Sequence, residues 1–259
     1  MLSIPLTKAL TNSAHRSTLW AVTTTPKRRR RRLPRGSLDR DTIVAASLRL
    51  LDEHGTRGFS MPLLGRELGA DPSAVYRHFA SKDDLILAIT DRLIVEQDVK
   101  SRRGACWVET LATVARDMWE LGESRPAAVA LTFSRTAARE GTFGAADFVI
   151  GTFREAGFPP DEAARLYRSF VDFGLSMAQQ RALLLDLDPE ARDSDASNTA
   201  AFRTADPARY PNIAAAADVI ALRTATDSFE LALSLMLGGI AARAPAPCNG
   251  HEHSLRPLG

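Results

Sequence analysis

Long apolar runs are missing from this sequence. No stretch approaches the ~20 consecutive apolar residues that a membrane-spanning helix needs. The opening MLSIPLTKALTNSAHRSTLWAV breaks its apolar positions with polar ones every few residues, which argues against a secretory signal. Cysteine is scarce: only Cys106 and Cys248 occur, far apart and without metal-ligand spacing, so a reduced, cytoplasmic protein is expected. Histidine is missing where an enzyme would use it. His15, His54, His78, His251 and His253 all lie outside residues 79–250, leaving that region without an imidazole base or ligand. No glycine-rich phosphate loop and no pair of groups at catalytic spacing is present either, so no catalytic residues are assigned. Alternating β-branched runs are also lacking, which argues against any sheet.

What remains is an ordinary globular composition, 45% hydrophobic and 25% charged over 259 residues, enough for one large or two modest domains. The net charge of +2 conceals an asymmetry. Residues 1–100 carry 17 Lys/Arg against 11 Asp/Glu, a balance of +6, while residues 101–259 carry 16 against 20, a balance of −4. The first part suits a polyanion and the second does not. Residues 1–36, ending in PKRRRRRLPRG, are expected to form a disordered basic arm able to touch phosphates without reading sequence. The tail at 244–259 is likewise expected to be disordered. Its CNGHEH segment offers one sulfur and two imidazoles, short of the four ligands of a structural zinc, so neither metal nor cofactor is expected.

Between these ends every periodic segment is helical. Asp39, Ser60, Asp71 and Ser81 each precede an apolar stripe in the N-cap position, Pro72 takes the first-turn position proline favours, and Gly55 stops the first helix. Beyond residue 101 helices are predicted at 105–122, 126–138, 143–156, 161–186 and 222–243, with a short one near 210–218. The run DLDPEARDSDASNTAAFRTADPARYP reads as a mobile polar loop. The resulting organisation is all-α: a three-helix helix-turn-helix domain at 37–96 and a helical bundle at 97–243.

The stretch GADPSAVYRHFASKDDL carries the functional signal. A three-residue turn containing glycine between two short helices is the helix-turn-helix layout. Leu64, Leu68, Val75 and Phe79 suit the inner face, and capping accounts for Asp71 and Ser81. Packing leaves Ser73, Tyr76, Arg77 and His78 unexplained unless something docks on them. A DNA major groove would: Arg77 can pair with guanine, and Tyr76 and His78 can reach phosphates or a thymine methyl. Ser60 can present its hydroxyl and neighbouring amides to a phosphate, and Lys82 adds a cation on the far side.

Residues Asp41 to Ile89 closely resemble the DNA-binding domain of TetR-family transcriptional regulators. The motif Tyr-x-His-Phe stands at Tyr76 to Phe79, Ser-Lys-x-x-Leu at Ser81 to Leu85, and the first-helix pattern at Ala46, Leu50 and Gly55. Carried over residue by residue, the resemblance implies DNA contacts at Ser60, Pro72, Ser73, Tyr76, Arg77, His78 and Lys82. Gly65 departs from the alanine usual in the first helix of the motif. The family's operators are palindromes read by homodimers, and its C-terminal helices bind a small-molecule effector. The expected function is therefore that of a ligand-responsive repressor. A non-specific DNA-binding protein using the arginine arm and an all-helical enzyme are the alternatives.

Two helices bear on pairing. The segment Thr224 to Arg243 is apolar all round, as a helix buried on every side must be, and 161–186 is similar. Phe170, Phe173, Met177, Phe229, Leu233, Met236, Leu237 and Ile240 are accordingly expected at a four-helix dimer interface. For the effector pocket, Met118, Trp119, Phe133, Tyr167 and Phe170 are candidate apolar lining, and Arg135 and Gln179 candidate polar groups. The absence of a histidine from this region argues against the magnesium-bound drug mode of the tetracycline repressor.

Overall fold

A computed structural model describes residues 38–133, 138–222, 224–246 and 248, and every regular element among them is a helix. Four helices make the N-terminal part: α1 (Arg40–Gly58), α2 (Met61–Glu67), α3 (Pro72–Tyr76) and α4 (Lys82–Gln97). Seven follow: α5 (Trp107–Ser124), α6 (Pro126–Thr132), α7 (Glu140–Glu155), α8 (Pro160–Leu185), α9 (Pro189–Ala200), α10 (Pro211–Leu222) and α11 (Ala225–Ala241).

The helix starts follow the caps in the sequence. Asp39 accepts a hydrogen bond from Thr42 N at 2.7 Å, Asp71 from Ser73 N at 2.8 Å and Ser81 from Asp84 N at 3.0 Å. Ser60 accepts from Leu63 N at 3.4 Å. Each satisfies an amide that the first helical turn would otherwise leave open. At Gly55 the backbone leaves the helical region with φ 66°, a conformation glycine adopts without strain, and a last turn follows to Gly58.

Two buried clusters form the core. The first joins Ile43, Leu50, Leu64, Val75, Phe79, Leu85 and Ile89 of α1 to α4 with Ala128, Val129 and Ala182 of α6 and α8. The N-terminal domain is thus packed directly on α6 and the end of α8. The second cluster gathers α5, α7, α8 and α11 around Phe153, Phe170, Phe229 and Leu237. Trp119 stacks on Phe229 at 4.7 Å between ring centroids, and Phe229 faces Phe173 at 6.2 Å.

Three expectations need correction. Residues 189–200, read as part of a mobile loop, form α9. None of its residues is buried, and local bonds such as Ser197 Oγ to Asp193 O at 2.8 Å accompany it. With no apolar residue larger than alanine or proline, this helix carries no apolar stripe to reveal it. The predicted helix 126–138 ends at Thr132 among the described residues. The cysteines, expected to be reduced, are joined as a Cys106–Cys248 disulfide across 142 residues of sequence. This happens because the expected disordered tail is held as far as Cys248: Ala246 N donates to Ala156 O at 3.0 Å and Trp107 Nε1 to Ala246 O at 3.3 Å. Spacing along a chain cannot reveal a contact made by folding back. His251 and His253 lie outside the described residues, as do residues 1–37 with the basic arm.

Candidate DNA-binding surface and interior cavity

The turn between α2 and α3 is built on two glycines. Gly69 has φ 62°, in the left-handed region, and turns the chain within three residues. Gly65 lets α2 approach the start of α3: a Cβ there would meet Ala70 O at 3.0 Å and Pro72 N at 3.1 Å. The departure from alanine at this position therefore accompanies a close helix approach. On the inner side Val75 and Phe79 are fully buried with Leu64. On the outer side Ser73, Tyr76 and Arg77 are exposed, with Tyr76 showing 49% of its surface. Pro72 and His78 lie at the edge of this face, half-buried, and Ser60 and Lys82 are exposed on either flank. All seven sequence-predicted residues thus belong to α3 or to the ends of the helices beside it.

An exposed tyrosine next to an arginine costs burial and gains nothing internally, since Phe79 and Val75 already hold α3 in place. The exposed face of α3 is fixed from behind by Arg40. Its guanidinium lies 4.0 Å from the centre of the Phe79 ring and donates to the carbonyl of His78. Arg40 also faces Asp84 at 3.5 Å.

Asp84 is where the two halves of the chain meet. Its carboxylate accepts from Ala80 N at 3.1 Å and from Arg139, just before α7, at 2.5 Å. Burial works to raise its pKa, but the Ala80 amide and the two arginines outweigh this and hold the carboxyl below the usual value. One helical turn pair further along α4, Asp91 Oδ1 accepts from Thr142 N at 3.0 Å and from Thr142 Oγ1 at 3.3 Å, capping α7. At the other end, Thr56 of α1 donates its hydroxyl to Asp186, and Arg57 pairs with Asp188 at 2.8 Å. Arg125 bridges Asp52 of α1 at 3.0 Å and Glu96 of α4 at 3.2 Å.

Above the Asp91 junction lies a cavity of about 140 Å³. Met118 of α5, Phe133 after α6 and Tyr167 of α8 line it, as the sequence suggested. Trp119 and Phe170 do not: Trp119 is turned onto Phe229, and Phe170 is wholly buried at 6.1 Å from Phe153. Gln179 is absent from the lining, one turn beyond Leu175, the last α8 residue to reach it. Arg135 lies outside the described residues. Sequence reasoning missed the walls from α4 (Thr90, Ile94, Gln97) and α7 (Thr142, Ala145, Ala146, Val149). Small residues at 145 and 146 on a helix facing the core were the available sign of a void there.

Burial corrects the pairing surface. Phe170, Phe229, Leu233, Leu237 and Ile240 are at most 6% exposed within the single chain, so they are interior residues and present no face to a partner. Phe173, Met177 and Met236 are partly buried. The open apolar stripe of α11 is Leu231, Leu235 and Gly239, four residues apart, on the opposite side. Leu235 is 69% exposed, and a Cβ at Gly239 would meet nothing within 4 Å.

A helix-turn-helix with an exposed polar outer face, packed on a helical domain with a cavity between α4 and the helices that follow, defines a DNA-binding regulatory protein in class. Comparison with known proteins agrees. Residues 43–89 match the model of bacterial regulatory proteins of the tetR family, and residues 102–244 match the tetracyclin repressor-like C-terminal domain. An HTH-type transcriptional repressor of Mycobacterium tuberculosis is 30% identical over 200 residues, 74% of each chain. The class A tetracycline repressor protein from transposon 1721 of Escherichia coli is 27% identical over 217 residues, covering 80% of this chain and 92% of that one. A solved TetR regulator from Streptomyces coelicolor superposes with TM-score 0.64 at 26% identity, over 79% of this chain and 98% of that one. The Streptomyces coelicolor protein ActR bound to actinorhodin shares the fold, with TM-score 0.71 at 20% identity over 81% and 98%. The chain belongs to the TetR family of transcriptional regulators.

Proposed function

We propose that this regulator represses transcription by holding a palindromic operator as a homodimer, and that a small molecule in the α4–α8 cavity releases it. The observation that carries the reading is the exposed face of α3, where Ser73, Tyr76 and Arg77 are presented while Val75 and Phe79 are fully buried beneath them. In this reading Arg77 and Tyr76 enter a major groove, with Ser60, Pro72, Ser73, His78 and Lys82 against base edges or flanking phosphates. One such module offers little surface, so two copies a helical turn apart are required for specificity. The Leu231–Leu235–Gly239 stripe of α11 supports pairing, since exposed leucines on a stable helix are otherwise a liability.

The α4 helix belongs to the DNA-binding domain and is also a wall of the cavity. Arg139 and Thr142 hold α7 to it at Asp84 and Asp91. A ligand that separates α4 from α7 would move the recognition helices, and it can shift the equilibrium only by as much as it prefers that arrangement. Operator binding fits a cytoplasmic location, and among the described residues no helix is long and apolar enough to cross a membrane.

The test is operator binding by purified variants. Tyr76→Ala and Lys82→Ala are expected to weaken binding to a selected site by at least tenfold with unchanged helical content. Retention of wild-type affinity by both would refute the assignment of this face.

A further inference from the structure

The walls of the cavity specify more than its existence. Of the seventeen residues that line it, six carry a polar or charged side chain. Two charged side chains reach it, Arg168 and Asp172, one turn apart on α8, and they pair with each other at 2.9 Å on its solvent side, 69% and 55% exposed. The lining contains no histidine or cysteine, and its one carboxylate is already paired, so it offers no ligand set for a metal chelate. Both threonine hydroxyl protons are committed: Thr90 donates to Ile86 O at 2.9 Å and Thr142 to Asp91 at 3.3 Å. Two polar groups remain. The Tyr167 hydroxyl and the Gln97 side-chain amide, from α8 and α4, make no hydrogen bond to any described residue. Burial raises the Tyr167 pKa, so the phenol stays protonated and able to donate. The rest is apolar, from Ile94, Val114, Met118, Val149, Val171 and Leu175.

We propose that this cavity takes an uncharged, largely apolar molecule about one ring in size, carrying a hydroxyl or carbonyl oxygen that Tyr167 and Gln97 bind. The inference rests on the reading of the cavity as the effector site and adds the chemical class of the effector. Size follows from the volume, about 140 Å³, close to that of a protein cavity known to accept benzene. Neutrality follows from the cost of burying a charge where no free counter-charge is available. The oxygen follows from two half-buried residues on the cavity wall, Tyr167 and Gln97, whose polar ends are not taken up by the protein while most of the wall is apolar. The two groups come from different helices, so one ligand oxygen between them would bridge α8 to α4.

Calorimetric titration of the full-length protein at pH 7.5 with four one-ring probes tests this: toluene, p-cresol, benzoate and benzylammonium. Toluene and p-cresol are expected to bind, p-cresol about three- to tenfold more tightly, the worth of one hydrogen bond. Benzoate and benzylammonium are expected to bind at least tenfold more weakly than toluene. Tyr167→Phe should bring p-cresol to the affinity of toluene while leaving toluene unchanged, and Gln97→Leu should reduce the same preference. Binding of either charged probe within threefold of p-cresol would overturn the proposed class, as would a p-cresol preference that survives both substitutions. Ala146→Phe, which fills the cavity, separates the two readings. If toluene still binds this variant, or if no probe binds the wild type, the effector-site reading itself fails.

Discussion

Among the described residues, Arg139–Asp84 is the shortest ion pair between the C-terminal helices and the DNA-binding domain, and its worth can be estimated. Arg139 Nη2 is 2.5 Å from Asp84 Oδ1, with side chains 30% and 26% exposed. Fully exposed pairs contribute about 0–1 kcal/mol, whereas sheltered hydrogen bonds to charged groups contribute about 1.5–3 kcal/mol. Partial exposure places this pair between them, at about 1 kcal/mol of coupling. The assay is a double-mutant cycle by urea unfolding with Arg139→Met, Asp84→Asn and the double variant, at one fixed protein concentration because the proposed pairing would make apparent stability concentration-dependent. Each single change should destabilise, and the double variant should fall short of the sum by about 1 kcal/mol, with the shortfall shrinking in high salt. Arg40 also faces Asp84, at 3.5 Å, so the cycle repeated with Arg40→Met should give a smaller coupling. Strictly additive effects of Arg139→Met and Asp84→Asn would refute the claim that this contact joins the two domains.

Asp117 is buried, with Oδ2 lacking a hydrogen bond and Arg102 Nε 3.8 Å away; burial raises its pKa above the usual value. The folded state therefore holds this proton more tightly than the unfolded chain, and stability falls as pH rises from about 4 through the folded value. Asp117→Asn is expected to melt higher than wild type at pH 8, with the advantage gone near pH 4; an equal difference at both would contradict the assignment. Reduction of Cys106–Cys248, which closes a loop across 142 residues, should lower unfolding free energy by about 3–5 kcal/mol in a urea titration. An unchanged midpoint would show that the strap carries no stability. Leu235→Glu should shift the protein toward monomer in sedimentation with little loss of protomer stability. Leu233→Ala, a core truncation, should cost about 2–5 kcal/mol.

The helix-turn-helix was readable from the chain because its determinants are local. Caps at Asp39, Ser60, Asp71 and Ser81, the turn glycine and the Val75–Phe79 spacing lie within a few residues of what they control. Side-chain outwardness of Tyr76 and Arg77 follows from the same periodicity. The cavity was half legible: Met118, Phe133 and Tyr167 are bulky and drew attention, but Ala145, Ala146 and Thr90 matter by being small or unremarkable. Which residues of α11 face outward was illegible, because a helix apolar on every side gives no stripe to orient it. Phe229, Leu233 and Leu237 went inward and Leu231 and Leu235 outward for reasons set by α5 and α8, distant in sequence. The disulfide was illegible because it depends on a long-range contact, and α9 because its sequence carries no apolar stripe.

The central claim is that two copies of α3 read a specific DNA sequence. Selection from a random-sequence duplex library with the full-length protein tests it most directly. The account predicts enrichment of an inverted repeat with half-sites centred about one helical turn apart, and loss of that enrichment in Arg77→Ala and Tyr76→Ala. A pool that stays random after repeated rounds, or an enriched motif unaltered by both substitutions, would contradict it.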